Sequence, residues 1–372
     1  MHLVLHREIP DCDTLAREWN ELVSKTENPE VFYTYEWACA VSRAYRDCIT
    51  PLLVLAYEQK SLVGVAALGT DKAEKETFFL AGTTADYCDF VSPPDLRQEL
   101  VVRVLSGLRK LGLPMLVLAN LPVDSTTADL LQPSALRKYN VFSQPAFQCS
   151  QVSLRTAEQR TSVQYSIRHK REARYLKALA AKMPISVDRL RSWEQIAEAL
   201  PSFSMAHIAR MLSVGRVSHL ASPQRIAFLA ELAKLLSMRG WLTLNQLRAG
   251  DCPIAWLYTF QFARHWSFYQ MTFDCNFSEY SPGSGLRLKV IEEACESADT
   301  DFVDLGLGRE HHKQRWATAT RETINVTLAK SKVTCLRAAA RYHAAAAIKS
   351  APRLEQFVRR VLGRPSMGNL PA

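Results

Sequence analysis

Secondary-structure signals recur in the same order in the two halves of this sequence. In the first half, two helices precede a hairpin at residues 51–69, whose apolar strands flank the polar turn Glu58–Ser61. A strand at 78–82, an amphipathic helix at 95–111 that Asp95 is placed to cap, and a buried strand at 114–119 follow. These elements predict one α/β unit.

The second half repeats this order after residue 150. Helices come first, then a hairpin turning at 249–253, a strand at 266–273, a helix at 284–297 and a strand at 301–305. The two halves match in the order of their elements, although not in sequence identity. This shared order predicts a duplicated fold. We therefore expect an α/β (α+β) chain of two lobes, each a mixed sheet flanked by helices. The expected boundaries are 1–150, 151–332 and a basic helical tail at 333–372.

The positive charge of the chain is concentrated in its last residues. The formal net charge is +9, and from Lys330 onward nine basic residues and the single acid Glu355 account for +8 of it. A second basic run at 168–177 lies on a helix-like stretch, where a solvated face is the ordinary explanation. Because the body is nearly neutral, we expect no nucleic-acid partner.

The cysteines and the N-terminus indicate a reducing compartment. Nine cysteines are scattered without any C-x-x-C spacing, which argues against a zinc or redox site. The first residues do not resemble a signal peptide, and no run of about 18 apolar residues occurs. We expect a cytoplasmic protein without a metal.

A glycine-containing loop at the start of a predicted helix is the strongest site signal. It comprises Ser281, Pro282, Gly283, Ser284, Gly285 and Leu286. Glycines allow a close backbone approach, and the N–H groups at a helix start attract phosphate oxygens. The competing interpretation is an ordinary Ser-Pro-Gly turn. No P-loop motif is present, and the Gly306–Gly308 pair lacks the third glycine of a dinucleotide fingerprint, since position 311 is His.

The same region resembles a known family. Asp274–Leu286 matches the D-x-x-[YF]-x-x-Y-S-P-G-x-x-L segment of GNAT-fold acyltransferases of the CelD/BcsL type, which are relatives of the Fem aminoacyltransferases. The runs Asp304–Gly308 and Lys313–Trp316 match two further motifs, with His312 where an aromatic residue usually stands. The N-terminal half resembles the family at 32–37 and 86–89, so the resemblance covers about residues 30–330.

This resemblance implies two GNAT-like lobes and a transferase activity. The enzyme would transfer an acyl group, with acetyl as the expected one, from coenzyme A to an amine. Relatives of this type often act in exopolysaccharide biosynthesis. The loop Ser281–Leu286 would hold the coenzyme A phosphates, with Lys313, Arg315 and Trp316 also assigned to the cofactor. The strand at 266–273 would pair with the pantetheine arm.

Acyl transfer to an amine requires a positioned thioester and a proton acceptor. The acid/base candidates are Tyr269, Asp304 and Glu310, with His207 and His311 behind them. Structural alternatives exist for three of them: Tyr269 could be core, Asp304 could cap a loop, and His207 could be a hydrogen-bonded buried histidine. His311 and His312 are adjacent in sequence and so point apart, which argues against a metal site.

The first lobe differs at the place that corresponds to the glycine loop. It has Ser92-Pro-Pro-Asp95, with an acid where phosphate would lie. We therefore expect one coenzyme A per chain, bound to the second lobe. Asp86, Tyr87 and Asp89, with His207 of the second lobe, are the candidates for binding an amine or saccharide acceptor; the alternative for the three loop residues is an ordinary polar loop.

Two other functions and one membrane contact remain open on sequence. The chain could be a Fem-like transferase that uses aminoacyl-tRNA, or an inactive scaffold in polysaccharide assembly. In the tail, apolar residues of 354–362 share one helix face with arginines around it. This segment, within 350–364, suits either docking on the body of the protein or peripheral contact with the anionic inner face of a membrane.

Overall fold

The computed structural model describes residues 1–113, 115–132 and 138–350, except for the side chains of His312, Ala345 and residues 348–350. The amphipathic helix predicted within 350–364 lies outside these residues, apart from position 350. By internal contacts the chain forms two units. The N-terminal unit comprises Met1–Gln148 and the described residues from Arg321 onward, and the C-terminal unit comprises Cys149–Thr320.

The elements up to the unit boundary follow in chain order. They are β1 (His2–His6), α1 (Asp13–Val23), α2 (Tyr35–Ala44), β2 (Ile49–Glu58), β3 (Ser61–Asp71), β4 (Thr77–Phe79), α3 (Pro94–Lys110), β5 (Met115–Pro122), α4 (Thr126–Leu130) and β6 (Asn140–Ser153), which crosses the boundary.

The remaining elements begin with the helices of the C-terminal unit. They are α5 (Ala157–His169), α6 (Arg171–Ala180), β7 (Ile185–Leu190), α7 (Trp193–Ser213), α8 (Pro223–Ser237), β8 (Leu242–Ala249), β9 (Cys252–Phe262), β10 (His265–Phe273), α9 (Pro282–Glu296), β11 (Phe302–Leu307), α10 (His311–Gln314), β12 (Ala319–Ala329) and α11 (Lys332–Ser350).

Each unit has a mixed sheet in which a helix connects two parallel neighbours. In the N-terminal unit the strand order is β1-β2-β3-β4-β5-β12-β6, and α3 connects the parallel strands β4 and β5. In the C-terminal unit the order is β6-β11-β10-β9-β8-β7, and α9 connects the parallel strands β10 and β11. The predicted α/β class and the mixed sheet flanked by helices are confirmed.

Most predicted elements form, and the differences have local causes. The hairpin at 51–69 is β2 and β3, paired from Ile49 with Asp71 to Glu58 with Ser61. The first helical stretch expected after residue 150, at 162–182, is two helices, α5 and α6, because Lys170 is extended at ψ 144° between them. The interpretation of Asp95 as a cap was wrong: α3 begins at Pro94, and its cap position is Pro93, which makes no side-chain bond.

The helix α9 is buried on most of its surface, which fixes its position in the C-terminal unit. Leu286, Val290 and Ile291 are fully buried, and they belong to a core that also contains Leu176 of α6 and Val303 of β11. This helix packs against α5 and α6 as well as against the strands. Its N-terminus is therefore held firmly beside the end of β10.

Candidate functional site

The strands β10 and β11 separate after a short parallel ladder. They pair at three positions, ending where Ser267 is opposite Asp304. β10 continues to Phe273, and its register with β9 shifts between Phe268 and Gln270. Backbone groups past the end of a ladder can pair with an extended ligand. We call the gap between β10 and β11 beyond Ser267 and Asp304 the slot. It suits a linear molecule with amide groups.

The N-terminus of α9 follows shortly after the end of β10. Ser281 adopts a left-handed conformation with φ 46°, and its side chain does not cap the helix. The helix begins with Pro282, and the first intrahelical bond runs from the Gly285 N–H to the Ser281 carbonyl at 3.0 Å. The N–H groups of Gly283 and Ser284 thus belong to the first turn, where the helix supplies no acceptor. This end can bind an anion.

The two glycines of this turn have different surroundings. A Cβ at Gly283 would lie 3.1 Å from Cδ1 of Phe273, whereas a Cβ at Gly285 would lie 2.6 Å from Cδ2 of Leu176. Gly285 is therefore required for the close packing of α9 on α6. Leu286 is fully buried in the core. The structure assigns packing to Gly285 and Leu286, and their cofactor contact stays a prediction.

Tyr269 lies at the register shift of β10 and meets a cation from α8. Arg225 donates a hydrogen bond of 2.6 Å from Nη2 to the Tyr269 hydroxyl oxygen, and its guanidinium lies 5.5 Å from the ring centroid. Since Arg225 acts as the donor, the hydroxyl proton of Tyr269 can be directed to another acceptor. Tyr269 is half-buried. The hydrogen bond from Arg225 therefore holds the Tyr269 hydroxyl in a fixed position next to the slot.

His207 is buried on α7, in the same unit. Its Nδ1 lies 2.8 Å from the Ser218 hydroxyl, and its ring centroid lies 5.0 Å from that of His219. Burial, followed by the charges of His219, Arg210 and Arg225, lowers the pKa of His207 to about 4. The imidazole is therefore neutral at pH 7, and the same burial opposes its protonation.

Sequence reasoning missed His219, Arg225 and Arg210, which surround these predicted residues. Arg210 of α7 donates from Nη1 to the Met271 carbonyl at 3.2 Å, and its guanidinium lies 4.7 Å from the Phe273 ring centroid. Burial lowers the pKa of Arg210. None of the three belongs to a local motif, so only the tertiary structure reveals them.

Asp304 is buried, and both its oxygens are engaged. Oδ2 accepts from Gln151 Nε2 at 2.9 Å, and Oδ1 accepts from the Gly306 N–H at 2.8 Å. Gly306 has φ 77°, so this carboxylate holds a left-handed turn near the end of β11. These contacts match the loop-capping alternative, and the assignment of Asp304 as a catalytic group stays a prediction.

Four of the predicted site residues lie in or next to α10, and each contacts a neighbouring side chain. They are Glu310, Lys313, Arg315 and Trp316. Lys313 Nζ lies 3.1 Å from Glu310 Oε2 and donates to the Leu307 carbonyl at 2.6 Å. Arg315 pairs with Glu172 of α6 at 2.9 Å. Lys170 Nζ lies 4.6 Å from the centroid of the buried Trp316 ring. These contacts tie the α10 region to the start of α6. The cofactor role of these residues and the acid/base role of Glu310 stay predictions.

Arg287 of α9 is a buried cation near the slot. It is 4% exposed, and its Nη2 lies 3.6 Å from the Met271 sulfur. Its Nη1 has no hydrogen-bond partner among the described residues. Burial lowers the pKa of Arg287 to about 10, so the guanidinium is still charged at pH 7. A buried cation with an unsatisfied donor is costly for stability.

The predicted acceptor residues of the first lobe lie inside the N-terminal unit. Tyr87 is 1% exposed, and the Arg321 guanidinium lies 4.5 Å from its ring centroid. Asp89 pairs with the buried Arg97 at 2.8 Å, and Asp86 is also buried. The structure does not place these three side chains on an open surface. It places Tyr269 and His207, by contrast, in the C-terminal unit with the slot.

Metal-binding clusters and membrane-spanning helices are both absent from the described part of the chain. Between residues 1 and 350, outside the gaps given above, no group of three or more His, Cys, Asp or Glu side chains could hold a metal. Over the same described ranges, no helix has both the length and the apolar character needed to cross a bilayer.

Comparison with known proteins supports the fold. Residues 145–314 match the family model described as an acetyltransferase (GNAT) domain. FemX is a similar solved structure, with 12% identity, a TM-score of 0.63, and coverage of 88% of this chain and 97% of that chain. A tandem GNAT protein from the clavulanic acid biosynthesis pathway is also similar, with 11% identity, a TM-score of 0.50, and coverage of 89% and 99%.

A third similar structure is the C-terminal domain (DUF2156) of a putative lysylphosphatidylglycerol synthetase from Agrobacterium fabrum. It shares 10% identity, with a TM-score of 0.53 and coverage of 87% of this chain and 94% of that chain. No curated protein sequence matches this chain. These likenesses show a tandem GNAT-like fold, in which residues 145–314 are the part that matches the acetyltransferase (GNAT) domain model. The narrower CelD/BcsL type stays a prediction.

Proposed function

We propose that this protein transfers an acyl group from coenzyme A to an amine. The observation that carries the proposal is the separation of β10 and β11 next to the uncapped N-terminus of α9. A linear thioester donor with a phosphate group at one end has the two features that this arrangement suits. The phosphates would meet the N–H groups of Gly283 and Ser284, and the pantetheine amides would lie along β10.

The polar residues beyond the slot would serve the chemistry. The thioester supplies an activated acyl group, so the protein must orient the amine, accept its proton and stabilise the leaving thiolate. His207 is the neutral imidazole proposed to accept this proton, directly or through water, and it would act as a weak base because burial lowers its pKa to about 4. Tyr269, oriented by Arg225, would donate its proton to the thiolate.

The test of this proposal is donor binding followed by turnover. Acetyl-CoA should raise the thermal midpoint of the full-length chain, whereas S-acetyl-pantetheine, which lacks the nucleotide, should raise it less. Release of free thiol should then depend on an added amine, and a panel of amino sugars would identify the acceptor. If acetyl-CoA neither stabilises the protein nor is consumed with any amine, the proposal is contradicted.

A Fem-like transfer from aminoacyl-tRNA is the second candidate. It is supported by the similarity to FemX over 97% of that structure and by the sequence resemblance to Fem aminoacyltransferases. The exposed cations of 168–177 would then contact RNA phosphates. Stabilisation by charged tRNA and not by acetyl-CoA would favour it. No stabilisation by either donor would favour an inactive scaffold.

The setting of the reaction is proposed from the resemblance and the basic tail. An amino sugar or polysaccharide precursor at the inner face of a membrane fits an exopolysaccharide pathway. The cytoplasmic location and the contact of 350–364 with anionic lipid belong to the same proposal. Co-sedimentation with anionic vesicles, compared between the full chain and a chain ending at residue 349, tests the membrane contact.

A further inference from the structure

A groove on the helical surface of the C-terminal unit lies outside the slot. It has a volume of about 310 Å³ and is bounded by α5, α6, β7 and α9. Its apolar lining includes Ile167, Leu176 and Leu288. Each of these side chains is at most 5% exposed, because neighbouring residues cover the rest of its surface. A volume of this size is at the lower end of the range for small-molecule sites, roughly 300–1,000 Å³.

The rim of this groove carries an excess of positive charge. Arg168 and Lys177 are exposed on α5 and α6, and neither forms an ion pair with any residue that the structure describes. Lys289, the third cation, is neutralised by Glu292 at 2.8 Å. Two unpaired cations above an apolar floor are complementary to a molecule with an anionic head and an alkyl chain.

We propose that this groove binds a long-chain fatty carboxylate. The alkyl chain would lie along Ile167, Leu176 and Leu288, and the carboxylate would lie between Arg168 and Lys177. The arginine-rich segment 353–364 of the chain itself has the same sign of charge as the rim, so charge complementarity disfavours it as the occupant. The proposed site does not depend on the acyl-transfer activity.

The packing of α6 on α9 shapes the groove. Leu176 lies on the floor, and it is also the side chain that Gly285 admits at close range. Ala173 lies on the same stretch of α6 and lines the groove, so a large side chain at this position would fill it. Ala173→Trp therefore blocks the groove from a site that is already partly exposed.

The experiment measures binding of saturated fatty acids to the full-length protein by calorimetry, below their micelle concentrations. Affinity should rise by about fourfold per added methylene until the groove is filled, and then level off. The methyl ester of the best fatty acid should bind more weakly, because it lacks the charge. Ala173→Trp should reduce affinity for the fatty acid by about tenfold or more.

Charge variants test the rim without disturbing the floor. Lys177→Glu should weaken binding of the carboxylate and leave binding of the methyl ester unchanged, whereas Lys234→Glu, an exposed lysine on α8, should change neither. The proposal is overturned if the wild type shows no saturable binding, if affinity does not depend on chain length, or if Lys177→Glu and Lys234→Glu behave alike. Binding to phosphatidylglycerol vesicles without binding of monomeric fatty acid would also overturn it.

Discussion

Arg225 donates a hydrogen bond of 2.6 Å to the hydroxyl oxygen of Tyr269, a residue 44 positions further along the chain. The bond orients the phenol at the point where the register of β10 and β9 shifts. It therefore joins the strand that borders the slot to the helix α8. The proposed role of Tyr269 as a proton donor depends on this contact.

Tyr269→Phe should reduce kcat with little change in donor affinity. The substitution removes the hydroxyl and keeps the ring contacts with Phe260 and Tyr258. Loss of a general acid costs roughly 100-fold or more in rate. Steady-state kinetics with acetyl-CoA and an identified amine measure it, with Tyr165→Phe, an exposed tyrosine on α5, as the matched control. A wild-type kcat for Tyr269→Phe would exclude the proton-donor role.

The free energy of unfolding should fall as the pH is lowered from 6.5 to about 4, because His207 is protonated in the unfolded chain and neutral in the folded one over this range. The pKa of His207 is lowered from 6.5 to about 4 on folding, so the unfolded chain binds more protons between these values. The resulting loss in the free energy of unfolding amounts to about 3 kcal/mol as the pH falls across this window. Urea denaturation at several pH values measures the slope.

His207→Gln should flatten this slope, and the exposed His343→Gln should leave it unchanged. His219, whose pKa is also lowered, would retain part of the dependence in the first variant. An unchanged slope for His207→Gln would show that the histidine ionises freely in the folded protein.

Arg287→Met should stabilise the protein. The substitution removes a buried cation whose Nη1 has no described partner. It also removes the attraction between Arg287 and Glu172, but Glu172 keeps its ion pair with Arg315. We expect a gain of about 1 kcal/mol or more, because the replacement fills similar volume without a buried charge. Chemical denaturation compares it with Arg174→Met, an exposed position on α6 that should change stability little. A marked loss of stability would show that Arg287 is compensated in the folded state.

Gly285→Ala should destabilise the fold, because the new methyl group would lie 2.6 Å from Leu176. Forcing extra volume into a packed interface costs about 1–3 kcal/mol. Gly107 of α3 has no described atom within 4 Å of the place a Cβ would take, so Gly107→Ala should stabilise by roughly 0.5–1 kcal/mol. Equal effects at the two glycines in urea denaturation would contradict the packing role of Gly285.

Elements with strong local signals could be predicted from the sequence. The hairpin of β2 and β3 is encoded by apolar runs on both sides of a polar turn. The helix predicted at 284–297 is α9, which begins two residues earlier because Pro282 takes its first position. β6 was missed because few of its residues are buried and it contains Pro145, a residue that argues against a strand. Sequence patterns within a segment do not indicate which strands pair with it, and β6 lies between β12 and β11.

The candidate site was only partly predictable for the same reason. The α9 N-terminus depends on backbone conformation, which proline and glycine make visible in sequence. The contacts of Tyr269 with Arg225 and of His207 with His219 join separate elements, and no spacing rule connects them. Asp89 was chosen for its charge; its carboxylate pairs with the buried Arg97 in the N-terminal unit, and its role in binding an acceptor stays a prediction.

Calorimetric titration of acetyl-CoA measures whether the N-terminus of α9 holds the phosphates of an acyl-CoA donor, as proposed above. The wild type should bind one acetyl-CoA per chain. Gly283→Ala, which adds a methyl group 3.1 Å from the Phe273 ring, should bind more weakly, and Gly283→Asp should not bind, because its carboxylate would repel the phosphates. Equal affinity of Gly283→Asp and wild type, or a stoichiometry near two, would show that the N-terminus of α9 is not the single phosphate site of the chain.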